Sequence, residues 1–305
     1  MTTAVVSAAD ARFGRWLLNL VGSVKRRSDM FDQVIAYDLG LTPFQRRLLD
    51  GVRGIDVREV PPFVPHWQQG RTWKTWIWTH VEADVVVWLD AGITVLRPLD
   101  DFLQQIEERG YFVVSQSVPN RDCIPSDYYG LYDLPHSFDD EPTIAAGILG
   151  FATGSEFYRR VVVPTFDDAS DGRSLGFSAS EVEKLNRGID RMADPIVRDC
   201  TLFRHEQTLL SIHFYSSTEH PVVNDVYKYG GWLSPRDHPE QVIWSHRRRG
   251  DYRFLPRVPY RLPMALVGIP WGIAVYLRML FLNNRWILRP SFHARVARRL
   301  ASKLR

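Results

Sequence analysis

The stretch Val85-Val86-Val87-Trp88-Leu89 constrains the fold more than any other in these 305 residues. Five large apolar side chains in succession leave no face of a strand for water. Such a strand must lie inside a sheet covered on both sides, the situation of parallel sheets flanked by helices. Asp90-Ala91-Gly92 follows at once, so the buried strand delivers a carboxylate to its carboxyl end. In open α/β sheets that end, at the crevice where strand order reverses, is where ligands bind.

The rest of the first half fits this frame. Thr3 to Ala9, Gln33 to Tyr37, Ile55 to Val60, Asp84 to Leu89, Tyr111 to Ser115 and Ile144 to Ala152 read as strands. Helical spacing of apolar residues runs from Phe13 to Val24, with Lys25-Arg26-Arg27 placed where cations suit the helix dipole. Thr42-Pro43 is a helix start, with a capping residue and then proline at the first position. Further helices are expected over Trp73 to Val81, Pro98 to Glu108, Glu156 to Val163, Ser180 to Met192 and His205 to His213. The polar stretch from Ser117 to Thr143 is long enough for a functional loop. This alternation predicts an α/β, Rossmann-like, mostly parallel central sheet flanked by helices.

Charge divides the chain. Eleven Lys and Arg residues follow Asp251 and no acid does, which leaves 27 basic against 35 acidic residues before it, a formal charge of −8 beneath the overall +3. Residues 1–251 are therefore expected to form the catalytic domain and 252–305 a basic, partly apolar tail. Leu262 to Leu277 is uncharged and apolar but shorter than the roughly 20 residues that span a bilayer, and Pro263, Gly268, Pro270 and Gly272 interrupt it. Such a tail suits the headgroup region of an anionic membrane, with Trp271 and Tyr276 as amphipathic anchors and arginines on acidic lipid. A core-packed segment with a solvated basic helix behind it is the plainer alternative. No nucleic-acid-binding motif is present, and nucleic acid is not an expected partner. Two distant cysteines and an N-terminus without a basic start and apolar run point to the cytoplasm, peripherally associated with its membrane.

Short local patterns then narrow the chemistry. Val5-Val6-Ser7-Ala8-Ala9-Asp10-Ala11-Arg12-Phe13 resembles the opening strand and turn of the retaining GT-A glycosyltransferases that include glycogenin and the bacterial lipooligosaccharide galactosyltransferases. The resemblance implies that Ala8, Asp10 and Phe13 receive a uracil base, with Phe13 in place of the usual tyrosine. Arg71-Thr72-Trp73-Lys74 stands where that family places a basic residue against the donor, and Lys74 matches it. Packing within an amphipathic helix is the simpler role for Trp73 and Trp76.

Leu89-Asp90-Ala91-Gly92 matches the family's Asp-x-Asp segment with Gly92 in place of the second acid. Ile144-Ala145-Ala146-Gly147 is similar to its Asn-Ala-Gly strand, with Ala145 replacing the asparagine. His205-Glu206-Gln207-Thr208-Leu209 is similar to its Asp-Gln-Asp helix start; Glu206 and Gln207 match, and Thr208 and Ser211 depart. The family's glutamine faces the developing oxocarbenium charge, which implies that role for Gln207. Val242 to His246 reads as a strand ending in a candidate metal ligand, followed by Arg247, a diphosphate-binding candidate. The implied activity is transfer of a sugar, with retention, from a nucleotide donor such as a UDP-sugar to a glycan or lipid-linked acceptor. The implied cofactor is a divalent cation, Mn2+ or Mg2+, held by Asp90 and His246. A non-catalytic nucleotide-sugar or glycan-binding protein on the same fold is the alternative, because two family positions are lost.

Overall fold

The structure is a computed structural model that describes residues 1–176, 200, 202–218, 221–230, 235, 238–245 and 252–287, the last seven as backbone only. Its first part alternates strand and helix: β1 (Thr3–Ala9), α1 (Gly14–Arg27), β2 (Gln33–Asp38), α2 (Pro43–Asp50), β3 (Asp56–Glu59), α3 (Thr72–His80) and β4 (Val85–Leu89). The sequence then gives β5 (Ile93–Val95), α4 (Asp100–Arg109), β6 (Tyr111–Pro119), α5 (Ser126–Tyr132) and β7 (Pro142–Ala152). A π-turn over Tyr158–Val162 leads into α6 (Val163–Ser170), and α7 (Glu206–Ser217), a short α8 (Val226–Tyr229), β8 (Ile243–Ser245) and α9 (Ala265–Ile287) follow. The main sheet has the order β3-β2-β1-β4-β7-β6, with β1 parallel to both β2 and β4, and with β7 antiparallel to its neighbours. The fold is therefore the mixed, mostly parallel α/β sheet expected.

All five residues of β4 are buried, and the pleat shares them between two cores. Val85, Val87 and Leu89 pack with Val5 of β1, the apolar face of α1, and Phe102 and Ile106 of α4. Val86 and Trp88 point the other way, with Val6 of β1, onto Ile77 and Trp78 of α3 and Leu210 and Phe214 of α7. The helix start at Thr42 forms as expected: its hydroxyl accepts the Gln45 amide and the Gln45 side chain accepts the Thr42 amide.

Some boundaries differ. β6 extends to Pro119, and α7 extends to Ser217. The stretch expected as a loop between Ser117 and Thr143 contains α5, whose Tyr128 is buried in a third apolar cluster with Leu209 and Ile212 of α7. The expected helix from Ser180 to Met192 lies outside the described residues, as do His246 and Arg247.

The largest departure is at the tail. The prolines and glycines expected to break the apolar segment sit within, or at the approach to, one helix, α9, with Pro270 inside it. Glycine serves contact here. A side-chain carbon on Gly268 would lie 2.5 Å from the Tyr260 ring, and one on Gly272 would lie 2.8 Å from the Leu255 carbonyl. Trp271 and Tyr276, both half-buried, pack against the core, with Trp271 edge-on to Phe44 at 5.6 Å. Among the described residues no helix is long and apolar enough to cross a membrane.

The segment under α9 is fastened to α1. Fully buried Asn19 donates to the Thr94 hydroxyl at 2.9 Å and accepts the Phe254 amide at 3.0 Å. Asn19→Ala leaves two buried polar groups without their partner, at roughly 1–3 kcal/mol each. Urea unfolding is expected to show a loss of about 2–5 kcal/mol; a change within about 0.5 kcal/mol, the range of ordinary surface substitutions, would remove this clasp from the account.

Candidate functional site

Strand order places the site. β2 and β3 lie on one side of β1 and β4 lies on the other, so the order reverses between β1 and β4. Asp10 and Asp90 follow the carboxyl ends of these two strands and line a cavity of about 440 Å³. Its other walls include Ala8, Phe13, Leu39, Trp67, Gln68, Arg71, Trp73, Lys74 and Gly92. Ligand cavities commonly measure about 300–1,000 Å³.

The Asp10 turn is fixed by its own carboxylate: Oδ1 accepts the backbone amides of Arg12 at 2.9 Å and Phe13 at 3.2 Å. This Asx-type turn holds the chain between β1 and α1 and brings Phe13 beside the cavity.

Opposite it, α3 and α7 begin close together. Lys74, on the first turn of α3, is only 2% exposed, and its Nζ lies 2.9 Å from Asp90 Oδ1, 2.8 Å from Glu206 Oε1 and 3.4 Å from the Ala146 carbonyl. Its ammonium also stands 5.5 Å and 5.9 Å from the centres of the Trp88 and Trp73 rings. Glu206 opens α7, is fully buried, and accepts Arg71 at 3.4 Å on the same oxygen that takes Lys74; its second oxygen is buried without a hydrogen-bond partner among the described residues. Arg71 is 43% exposed at the cavity wall. The charge of Glu206, with a smaller contribution from Asp90, holds the Arg71 guanidinium above its ordinary pKa despite partial burial. A buried carboxylate requires such partners, since an unpaired ion in the interior is costly.

Both helices are entered through unusual backbone. Arg71 has φ +57°, and His205, just before Glu206, has φ +58° with ψ −124°. Non-glycine residues in such regions cost on the order of 1–3 kcal/mol and persist only where surroundings enforce them. Here the His205 ring bonds the Ser174 carbonyl at 2.9 Å, while the Ser174 and Thr72 hydroxyls meet at 2.9 Å. Farther along α7, His213 bonds Asp168 at 2.7 Å, and Tyr132 bonds the same oxygen at 2.6 Å. Burial alone would raise the Asp168 carboxyl, but hydrogen bonds from His213 and Tyr132 and the charges of His213 and Arg173 outweigh it, and its pKa is lowered.

The structure thus gathers Ala8, Asp10, Phe13, Lys74 and Asp90 around one cavity, with Glu206 reaching it through Lys74 and Arg71. Gln207 is buried on the first turn of α7, donates to the Thr143 hydroxyl at 3.4 Å, and is not part of the cavity lining. Arg71, Leu39, Trp67 and Gln68 were not singled out from sequence as site residues. For Arg71 a signal existed, a second cation three residues before Lys74, but its left-handed backbone is not written in the residue type.

A hard divalent cation needs about six oxygen ligands at roughly 2.0–2.6 Å. Among the described residues no group of three His, Cys, Asp or Glu side chains could hold one. Position 92 is glycine, and Asp90 Oδ1 already accepts both Lys74 and the Trp88 indole, the latter at 3.1 Å. A dication about 5 Å from the Lys74 ammonium would meet a pairwise repulsion on the order of 7 kcal/mol at an effective dielectric constant of about 20, which the Asp90 and Glu206 carboxylates offset, so the shortage of ligands decides the matter. The described residues do not fit a divalent cation.

No protein-family model matches the chain, and no curated protein matches it significantly. Among solved structures the chain is similar to the bifunctional glycosyltransferase WbbM in its apo form, with a TM-score of 0.56 and 12% identity, over 91% of this chain and 51% of that one. It is also similar to the galactosyltransferase LgtC in complex with donor and acceptor sugar analogues, with a TM-score of 0.47 and 14% identity, over 90% and 95% of the two chains. The chain spans about half the length of WbbM. At this identity the likeness to WbbM shows a shared GT-A-type α/β fold.

Removing one member of the buried pair should show what it is worth. Lys74→Met leaves Glu206 buried beside only the more distant Arg71, and urea unfolding is expected to lose about 3–5 kcal/mol. Adding Glu206→Gln should restore at least half of that loss. Two additive losses would show that the pair is not coupled.

Proposed function

We propose that this chain is a glycosyltransferase that moves a sugar, with retention, from a UDP-sugar to a glycan or lipid-linked acceptor at the cytoplasmic membrane face. The observation that carries this reading is the cavity at the β1/β4 reversal, bounded by the Asp10–Phe13 turn on one side and by Asp90, Lys74 and Arg71 on the other. One end is apolar and aromatic, suited to a base, and the other is charged, suited to a diphosphate-linked sugar. The fold shared with WbbM and the local resemblances at Asp10, Asp90 and Glu206-Gln207 support the reaction class.

In this reading the uracil lies against Ala8 and Phe13, with Asp10 fixing the turn. The bond between the anomeric carbon and the diphosphate breaks, and its electron pair leaves with UDP. The acceptor hydroxyl attacks from the face that the diphosphate vacates, and its proton passes to a departing phosphate oxygen. A strong side-chain base is unnecessary. Lys74 holds Asp90 and Glu206 in place, while Arg71 faces the phosphates; Arg247 stays a phosphate-binding candidate by resemblance alone. The resemblance gives Gln207 the task of supporting the positive carbon with a neutral amide oxygen, too weak a nucleophile to trap it; that task requires its side chain to leave the Thr143 hydroxyl and enter the cavity. The Mn2+ or Mg2+ implied by resemblance at Asp90 and His246 is assigned no step.

Calorimetry with UDP, combined with UDP release from a panel of UDP-hexoses, tests the reading. Gln207→Ala is expected to lower kcat about 10- to 1,000-fold with little change in KM, the mark of a group acting on the transition state. No affinity for UDP would sink the donor assignment. UDP binding with no turnover of any donor would favour a binding protein instead, for which the replacements Gly92 and Ala145 speak.

The membrane part of the proposal rests on α9. Its docked face carries Trp271, Val275, Tyr276 and Met279, yet Leu262, Leu266, Ile269, Ile273, Leu277 and Leu280 form a second stripe that is exposed. Their spacing of three and four residues places the helical ones on one side. Arg261 before the helix and Arg278 within it are also exposed, and each arginine near an anionic surface contributes about 1 kcal/mol. The full chain is expected to float with phosphatidylglycerol-containing vesicles, less so at high salt. Leu266→Glu/Ile273→Glu should abolish flotation without lowering the melting temperature, because both side chains face solvent. Flotation unchanged in that variant would remove α9 as the membrane contact.

A further inference from the structure

We propose that the cavity takes a diphosphate on Arg71 without a divalent cation, the protein's own charge chain Arg71–Glu206–Lys74–Asp90 standing where a metal site would otherwise be. This deepens the proposed donor reading and rests on it for the nucleotide part of the ligand.

The chain of charges is unequal in its access to the cavity. Glu206 is fully buried and Lys74 is 2% exposed, so these two charges neutralise one another inside the wall. Asp90 is 21% exposed, and the Lys74 ammonium and the Trp88 indole both bond its Oδ1. Arg71 is 43% exposed, the largest share of the four. An anion entering between β1 and β4 therefore meets the guanidinium as its most exposed charge; the four charges sum to zero, and the Asp90 carboxylate is drawn toward Lys74 and Trp88.

Arg71 is also preorganised. Its Nη1 is held by Glu206 at 3.4 Å, and its backbone is kept at φ +57° between the loop carrying Trp67 and Gln68 and the start of α3. A fixed guanidinium loses less freedom on binding than a free one and presents its N–H groups as a planar fork that matches two phosphate oxygens. The left-handed residue gains a role in this way: it turns the side chain to the wall at the point where the helix begins. A metal ion competes poorly for the same place, because Asp90 Oδ1 is taken by the Lys74 ammonium and the Trp88 indole and position 92 offers no second carboxylate.

The test is calorimetry on the full chain with UDP, uridine and inorganic pyrophosphate, each in EDTA and in Mn2+. UDP affinity is expected to be equal within about threefold in the two conditions. Arg71→Gln should weaken UDP and pyrophosphate roughly 10- to 100-fold, the weight of a charge-assisted hydrogen bond, and leave uridine unchanged. Arg71→Lys, which keeps the charge, should recover part of the loss and so separate charge from folding. UDP binding more than about tenfold tighter in Mn2+ than in EDTA would overturn the proposal in the unaltered chain, whatever the variants do. So would unchanged UDP and pyrophosphate affinity in Arg71→Gln, or no binding of either ligand in EDTA. If pyrophosphate binds through Arg71 in EDTA and UDP binds no tighter, the diphosphate site stands and the uridine-donor reading falls.

Discussion

The ammonium of Lys74, out of water between Asp90 and Glu206, is the interaction on which the site depends. It joins three elements that are distant in sequence: the end of β4, the first turn of α3 and the first residue of α7. Each carboxylate would be costly near the interior alone, and the ammonium would be costlier still. Together they form a network that tolerates burial and fixes where two helices start. The aromatic rings of Trp73 and Trp88 close around the ammonium, which accounts for tryptophans on both the helix and the strand. The same arrangement that stabilises the wall removes an Asp90 oxygen from other service. Structure and chemistry are therefore in competition at this carboxylate.

Much of the scaffold is legible in the residues because it follows from rules that act locally. β4 cannot be other than buried on both faces, and β1 has the same character, so a covered parallel sheet follows. Thr42 with Pro43 and Gln45 writes its own helix start. Asp10 and Asp90 are legible as strand-end acids for the same reason. What joins them to their partners is not local. Lys74 and Glu206 meet only because α3 and α7 pack on the same side of the sheet, and nothing in either segment names the other. The backbone of Arg71 and His205 is illegible by residue type, since arginine and histidine usually avoid positive φ.

The tail shows a different kind of failure. Gly268, Pro270 and Gly272 satisfy every rule for interrupting a helix, and those rules are weighted for an isolated chain. In the folded molecule the glycines sit where a side-chain carbon would collide with Tyr260 or Leu255, so their absence of a side chain is what admits the helix to the body. The packing of Trp271 on Phe44 adds to that contact. Tertiary contact outweighs a propensity cost of about 1 kcal/mol per glycine. A reading by composition also could not say which aromatic side chains face inward, because an amphipathic ring suits a membrane surface and a protein core equally well.

The cavity and the exposed stripe share a support. α1 begins at Gly14, next to the Phe13 that lines the cavity, and at Gly22 it lies against the Phe254 carbonyl so closely that a side-chain carbon would stand 2.7 Å away. Eight residues of helix separate these points, about 12 Å at 1.5 Å per residue. From Phe254 the contact continues through Leu255 to Gly272 of α9, whose opposite side bears the exposed apolar stripe. Cavity and stripe are thus connected through packed elements and buried hydrogen bonds, with Asn19 bonded to both Thr94 and Phe254 midway along. A surface that seats the stripe would consequently fix the height and tilt of the cavity above it. For an enzyme whose acceptor is anchored in lipid, that placement supplies part of the orientation that binding the acceptor would otherwise have to provide.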